Sequence, residues 1–161
     1  MRAYICAQAE ELRKACDEGL SRFEGMEGVE AFHFFRALGA GNQDAERELY
    51  DLALRIRPKY PLALYTRGQW HLARGEWSEA AADFERAIEV KPRFLEALIG
   101  LGVVRAGAGE LRTAVEAFTR AIEVDPAFAM TWTNRGIARY GLGEIEGGLA
   151  DVAGGSADPS D

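Results

Sequence analysis

Apolar residues along this chain return at helical rather than strand spacing. From Glu76 to Val90, Ala80, Ala81, Phe84, Ala87 and Ile88 form one stripe at i, i+4, i+7 and i+8. A second apolar run with the same period lies between Pro61 and Arg74, and Gly75 stops it. Lys91-Pro92 closes the longer stripe, because the residue before a proline is pushed out of the α region and proline cannot continue the ladder. Pro58 and Pro126 punctuate the chain in the same way. No segment sustains the strict alternation of a half-buried strand. The pattern predicts short amphipathic helices joined by tight turns.

These helices recur. Residues 76–94, EWSEAAADFERAIEVKPRF, overlay 110–128, ELRTAVEAFTRAIEVDPAF, with ten of nineteen positions identical at a shift of 34. Gly68, Gly102 and Gly136 fall in step, as do Gly41, Gly75, Gly109 and Gly143. Upstream, Tyr50, Leu54, Ile56, Pro58 and Tyr60 match the apolar and proline positions of the next copy. A fixed period of this length marks a stacked array of helical hairpins, each unable to hide its apolar side alone.

The offsets identify the repeat. Leu64, Gly68, Ala80, Phe84, Ala87 and Pro92, then Leu98, Leu101, Gly102, Ala114, Phe118, Ala121 and Pro126, then Trp132 and Gly136, fit the pattern W-x2-L-G-x2-Y, A-x3-F, P. The chain thus resembles the tetratricopeptide-repeat family. The resemblance implies an all-α, TPR-type α-solenoid of helix-turn-helix repeats behind an N-terminal capping helix. The expected organisation is a capping helix at 1–26, a degenerate repeat at 27–60, repeats at 61–94 and 95–128, a partial repeat at 129–153 and a disordered tail at 154–161. Three departures stand out: His71, Arg105 and Arg139 replace the aromatic that closes the first helix, Phe34 replaces the glycine at 27–60, and Gly148, Val152 and Gly155 replace Ala, Phe and Ala at the end. Residues 2–24 carry an amphipathic stripe of Ile5, Ala9, Leu12, Ala15, Cys16 and Leu20, suited to covering the open end of the first repeat or, alternatively, to pairing with another copy.

Charge and cysteine content narrow the function. The net charge of −7, from 19 basic and 26 acidic residues, argues against nucleic acid, whose phosphates need clustered Lys and Arg. Cys6 and Cys16 point different ways on one helix and read as free thiols in a reducing compartment. No secretory signal or run long enough to span a membrane is found, so a cytoplasmic protein without membrane association is expected.

The resemblance also places a partner site. In such arrays the first helix of each pair lines a concave groove, through positions i, i+3, i+7 and i+10. These are Leu62, Tyr65, Gln69 and Leu72 in one copy, then Glu96, Ile99, Val103 and Ala106, then Met130, Thr133, Ile137 and Tyr140, with Phe35 contributed from 27–60. The lining is mainly apolar and suits a peptide or an amphipathic helix with apolar anchors. It differs from relatives that clamp the C-terminal carboxylate of chaperones with Lys and Asn, since no cation occupies those positions and a carboxylate would be desolvated unmatched.

Catalytic signals fail on inspection. Gly100-Leu101-Gly102 lacks the third glycine and the preceding strand of a dinucleotide loop. His33 and His71 have no ligand-spaced neighbours. Trp70, Trp77 and Trp132 sit at packing positions, and the acidic residues read as solvated helix faces or i, i+4 partners. The expectation is a non-enzymatic, monomeric interaction module with no cofactor or metal that binds a protein or peptide. The alternatives are a small chaperone resembling those that serve type III secretion translocators, holding an unfolded client, and a structural assembly spacer.

Overall fold

The computed structural model describes residues 43–154. Regular structure among the described residues is entirely helical: α1 (Gln43–Ile56), α2 (Pro61–Ala73), α3 (Trp77–Val90), α4 (Leu95–Gly107), α5 (Leu111–Val124), α6 (Ala129–Gly141) and α7 (Ile145–Gly154). The chain divides into two compact units, Met1–Pro58 and Lys59–Asp161. In the first, α1 falls where the second helix of the degenerate repeat is expected, and its Tyr50, Ala53 and Leu54 are buried. The expected capping helix, Phe35, His33, both cysteines and the tail beyond Gly154, which itself ends α7, lie outside the described residues.

The second unit is an all-α solenoid of three helical hairpins, α2–α3, α4–α5 and α6–α7. Each helix packs on its neighbours in the chain, and α2 also touches α4, as α4 touches α6. The first helices of successive hairpins therefore run side by side.

One turn design closes every hairpin. Gly75, Gly109 and Gly143 adopt φ of 73°, 81° and 82°, the left-handed region open to glycine. The amide of each glycine bonds the carbonyl three residues back, and the next amide bonds the carbonyl five back: Glu76 to His71 at 3.0 Å, Glu110 to Arg105 at 2.8 Å and Glu144 to Arg139 at 3.0 Å. This is the Schellman closure, which satisfies the last carbonyls of a helix. Side chains then fasten the same residues together. His71 Nδ1 lies 2.6 Å from Glu76 Oε2, Arg105 Nη1 2.5 Å from Glu110 Oε2 and Arg139 Nε 3.8 Å from Glu144 Oε2. The residues that depart from the repeat's usual aromatic thus supply a basic group that meets the turn's glutamate.

The interior is aromatic rings set against glycine. Phe84 and Phe118 are 0% and 1% exposed. A Cβ at Gly68 would come 2.8 Å from Phe84 Cε1, and one at Gly100 2.8 Å from Phe84 Cζ, so the ring is held between the first helices of two hairpins. Burying each such ring contributes about 2–3 kcal/mol. The third hairpin solves the same problem differently. Val152 is smaller than phenylalanine, so α6 and α7 approach until a Cβ on Gly136 would lie 2.8 Å from the Gly148 carbonyl, and the converse. Gly148 replaces the repeat's alanine because the backbones cross there. Buried Thr131 stands where the other repeats have Ala63 and Ala97, and its hydroxyl finds no partner among the described residues.

Two carboxylates belong to this interior, against the expectation that acidic residues are solvated. Asp83 and Asp151 are each 3% exposed. Arg67 donates to both oxygens of Asp83 at 2.7 Å, and Arg135 to both oxygens of Asp151 at 2.8 and 2.6 Å. Arg139 adds a further bond to Asp151 at 2.9 Å. The corresponding positions of the middle hairpin hold Leu101 and Ala117, both buried. Polar, apolar and polar cross-links therefore alternate along the array.

Candidate functional site

α2, α4 and α6 carry the residues expected to line a groove, and their exposure changes from one helix to the next. On α2, Leu62, Tyr65, Gln69 and Leu72 are half-buried. The Tyr65 ring lies 5.9 Å from Phe84 and 5.3 Å from Phe94, centroid to centroid, and Gln69 Nε2 donates to its hydroxyl at 3.2 Å. Burial pushes the Tyr65 phenol above its ordinary range; the bond from Gln69 opposes that rise and the Glu96 carboxylate adds to it.

On α4, Ile99 is half-buried and packs with Ala106 against the core of Ala114, Phe118 and Ala138. Val103 is 37% exposed. On α6 the face opens: Met130, Ile137 and Tyr140 are 62%, 64% and 63% exposed. Thr133 is exposed, and its hydroxyl bonds back to the Ala129 carbonyl at 3.3 Å. The candidate residues thus sort into a packed set at the α2 end, with Ile99, and an open set of Val103, Met130, Ile137 and Tyr140.

Glu96 carries the one charge among these twelve lining positions, and no Lys or Arg is present to meet an anion. No group of three or more His, Cys, Asp or Glu is placed to hold a metal among the described residues. None of the described helices is long and apolar enough to cross a membrane. His71 sits between Glu76 and the buried Asp83, whose Oδ2 is 3.8 Å from Nε2, and its ring meets Trp70 edge-on. That is a structural role beneath the turn.

Sequence reasoning missed the Arg67–Asp83 and Arg135–Asp151 pairs. A signal was available: both residue types recur together at twice the repeat length, with Leu101 and Ala117 at the intervening positions.

Residues 61–94 match one family model of the tetratricopeptide repeat, and residues 104–159 match a second. The chain is a tetratricopeptide-repeat protein. The repeat protein shares its fold with the crystal structure of MamA, with a TM-score of 0.68 and 23% identity over 71% of this chain and 67% of that one. A second MamA crystal structure gives the same TM-score and identity over 71% and 63%. The Sgt2 TPR domain from Aspergillus fumigatus aligns with a TM-score of 0.57 and 24% identity, over 59% of this repeat protein and 63% of that chain. At these identities the likeness is one of fold. The repeat protein spans about two thirds of the length of these structures. No curated protein matches it. Tetratricopeptide repeats build protein–protein interaction modules, through the extended surfaces that stacked hairpins create.

Proposed function

We propose that this repeat protein is a non-enzymatic module that captures an apolar peptide or helical segment of a partner protein on the α2–α4–α6 face. One observation carries the reading: Met130, Ile137 and Tyr140 stand on one side of α6, each more than 60% exposed, with Val103 of α4 beside the same face. Large apolar side chains left in water on a packed helix are anchors awaiting burial, and each one covered contributes about 1.5–3 kcal/mol before the costs of association. Their i, i+7, i+10 spacing suits a segment that lays its own apolar stripe along the face.

The test is a triple variant, M130D/I137D/Y140D, used beside the wild type in affinity capture with mass spectrometry. The captured segment is then remade as a peptide for calorimetry. These three positions are exposed, so helicity should be unchanged. Tyr65 and Ile99 are unsuitable, since both pack on the core. The expected result is at least a tenfold loss of peptide affinity. Unchanged affinity in the triple variant would move the contact off this face.

A further inference from the structure

Glu96 of α4 and Met130 of α6 hold the same place in successive repeats, and α4 touches α6. Both side chains are exposed, Met130 at 62%. Phe128, the residue that caps the start of α6, is 40% exposed. The other lining positions of the three helices are uncharged, so Glu96 is a single carboxylate on an otherwise neutral face. It has no ion-pair partner among the described residues. In the turn leading into α4, Lys91 lies instead over the Phe94 ring, 4.6 Å from its centroid. Towards α2, the Glu96 charge reaches Tyr65 and helps to raise its phenol.

A segment that covers Met130 also takes water from Glu96. A carboxylate desolvated without a partner is costly, so a segment that offers only apolar groups at this place binds poorly. An acidic segment fares worse, because like charges then meet. A lysine or arginine answers both needs: its alkyl stem lies on apolar surface such as Phe128 and Met130, and its head bonds the carboxylate. The net charge of −7 attracts the same kind of partner from a distance.

The helices also set a spacing. Val103 and Ile137 stand seven residues beyond Glu96 and Met130 on the same two helices, about 10 Å further along at 1.5 Å per residue. We infer that the captured segment carries a lysine or arginine that pairs with Glu96, about 10 Å from the apolar anchors that cover Val103 and Ile137, an inference that rests on the proposed use of the α2–α4–α6 face. In a helical segment that distance is two turns.

A displayed library of random peptides, selected on the immobilised full chain, tests this. Peptides held by the wild type should be enriched in Lys or Arg beside apolar residues, and those held by E96K in Asp or Glu at the same place. For the leading wild-type peptide, calorimetry should show binding to E96Q weakened about three- to tenfold, with less dependence on salt. E96K should weaken it further, and a Glu put in place of the peptide's cation should recover the loss, which a merely structural role for Glu96 would not produce. Glu96 is exposed, so both variants should keep wild-type helicity. Peptides that M130D/I137D/Y140D no longer binds, but that E96Q binds as the wild type does or that E96K selects equally, overturn the inference and leave the use of the face standing. Failure to find any peptide whose binding the triple variant abolishes overturns the use of the face, and the inference with it.

Discussion

Removing Asp83 alone should be far more damaging than removing it together with Arg67. In D83A the Arg67 guanidinium keeps its partly buried place without the carboxylate that received two bonds at 2.7 Å. Breaking a buried pair in this way costs about 3 kcal/mol. R67L should cost less, about 2 kcal/mol, because His71 and Arg86 remain 3.8 and 3.9 Å from Asp83. The double variant R67L/D83A recreates what the middle hairpin already holds at Leu101 and Ala117, so it should lie within about 1–2 kcal/mol of the wild type. The coupling energy is then on the order of 3 kcal/mol. Urea denaturation reads this out by far-UV circular dichroism and by fluorescence of Trp70, Trp77 and Trp132. Coincident transitions license two-state treatment. For a unit of this size D83A should lower Tm by roughly 12–20 °C. If R67L/D83A proves as unstable as the sum of its parts, the middle hairpin is no guide to the first and the reasoning fails.

Adjacent glycines of α7 should respond oppositely to alanine. At Gly147 a Cβ would meet Arg139 Cδ at an ordinary 3.6 Å, so G147A should stabilise by about 1 kcal/mol in thermal melts. At Gly148 it would press on the Gly136 carbonyl at 2.8 Å, so G148A should destabilise by about 1–3 kcal/mol; equal effects from the two would remove the backbone crossing from the account. Tyr65 supplies a pH test. Its phenol is raised in the folded chain, so its contribution to stability is fully present below the unfolded value near 10 and is lost as pH rises through the folded one. Urea midpoints measured across alkaline pH should therefore fall less steeply in Y65F than in the wild type, and parallel slopes would refute the assigned direction.

The hairpins were legible in the sequence because their determinants are local. Gly75 and Gly109 end helices whatever surrounds them, and the stripe from Ala80 to Ile88 keeps one period. Groove positions could be counted off, but their exposure could not. Tyr65, Ile99 and Thr133 share a register, yet the first two are half-buried and the third is exposed, because neighbours decide how much of each water sees: Phe84 and Phe94 for Tyr65, and the Phe118 core for Ile99. Asp83 was missed for a related reason, since only its recurrence with Arg67 at twice the repeat length gave it away. On its own helix it looks like any surface carboxylate, and its burial depends on an arginine sixteen residues away. Gly148 departs from the repeat's alanine in the sequence, and the structure makes it the point where two backbones cross.

The alternation of cross-links also bears on how so repetitive a chain avoids assembling wrongly. In copies 61–94 and 95–128, α3 and α5 share the buried stripe of Ala80, Phe84, Ala87 and Ile88 with Ala114, Phe118, Ala121 and Ile122, so α2 could meet the same apolar positions on either. That exchange would set Arg67 against Ala117 and leave Asp83 facing Leu101, stranding two opposite charges in separate dry places. The pairs thus act against exchange between adjacent hairpins, where an interchange would leave a charge on each side unmatched.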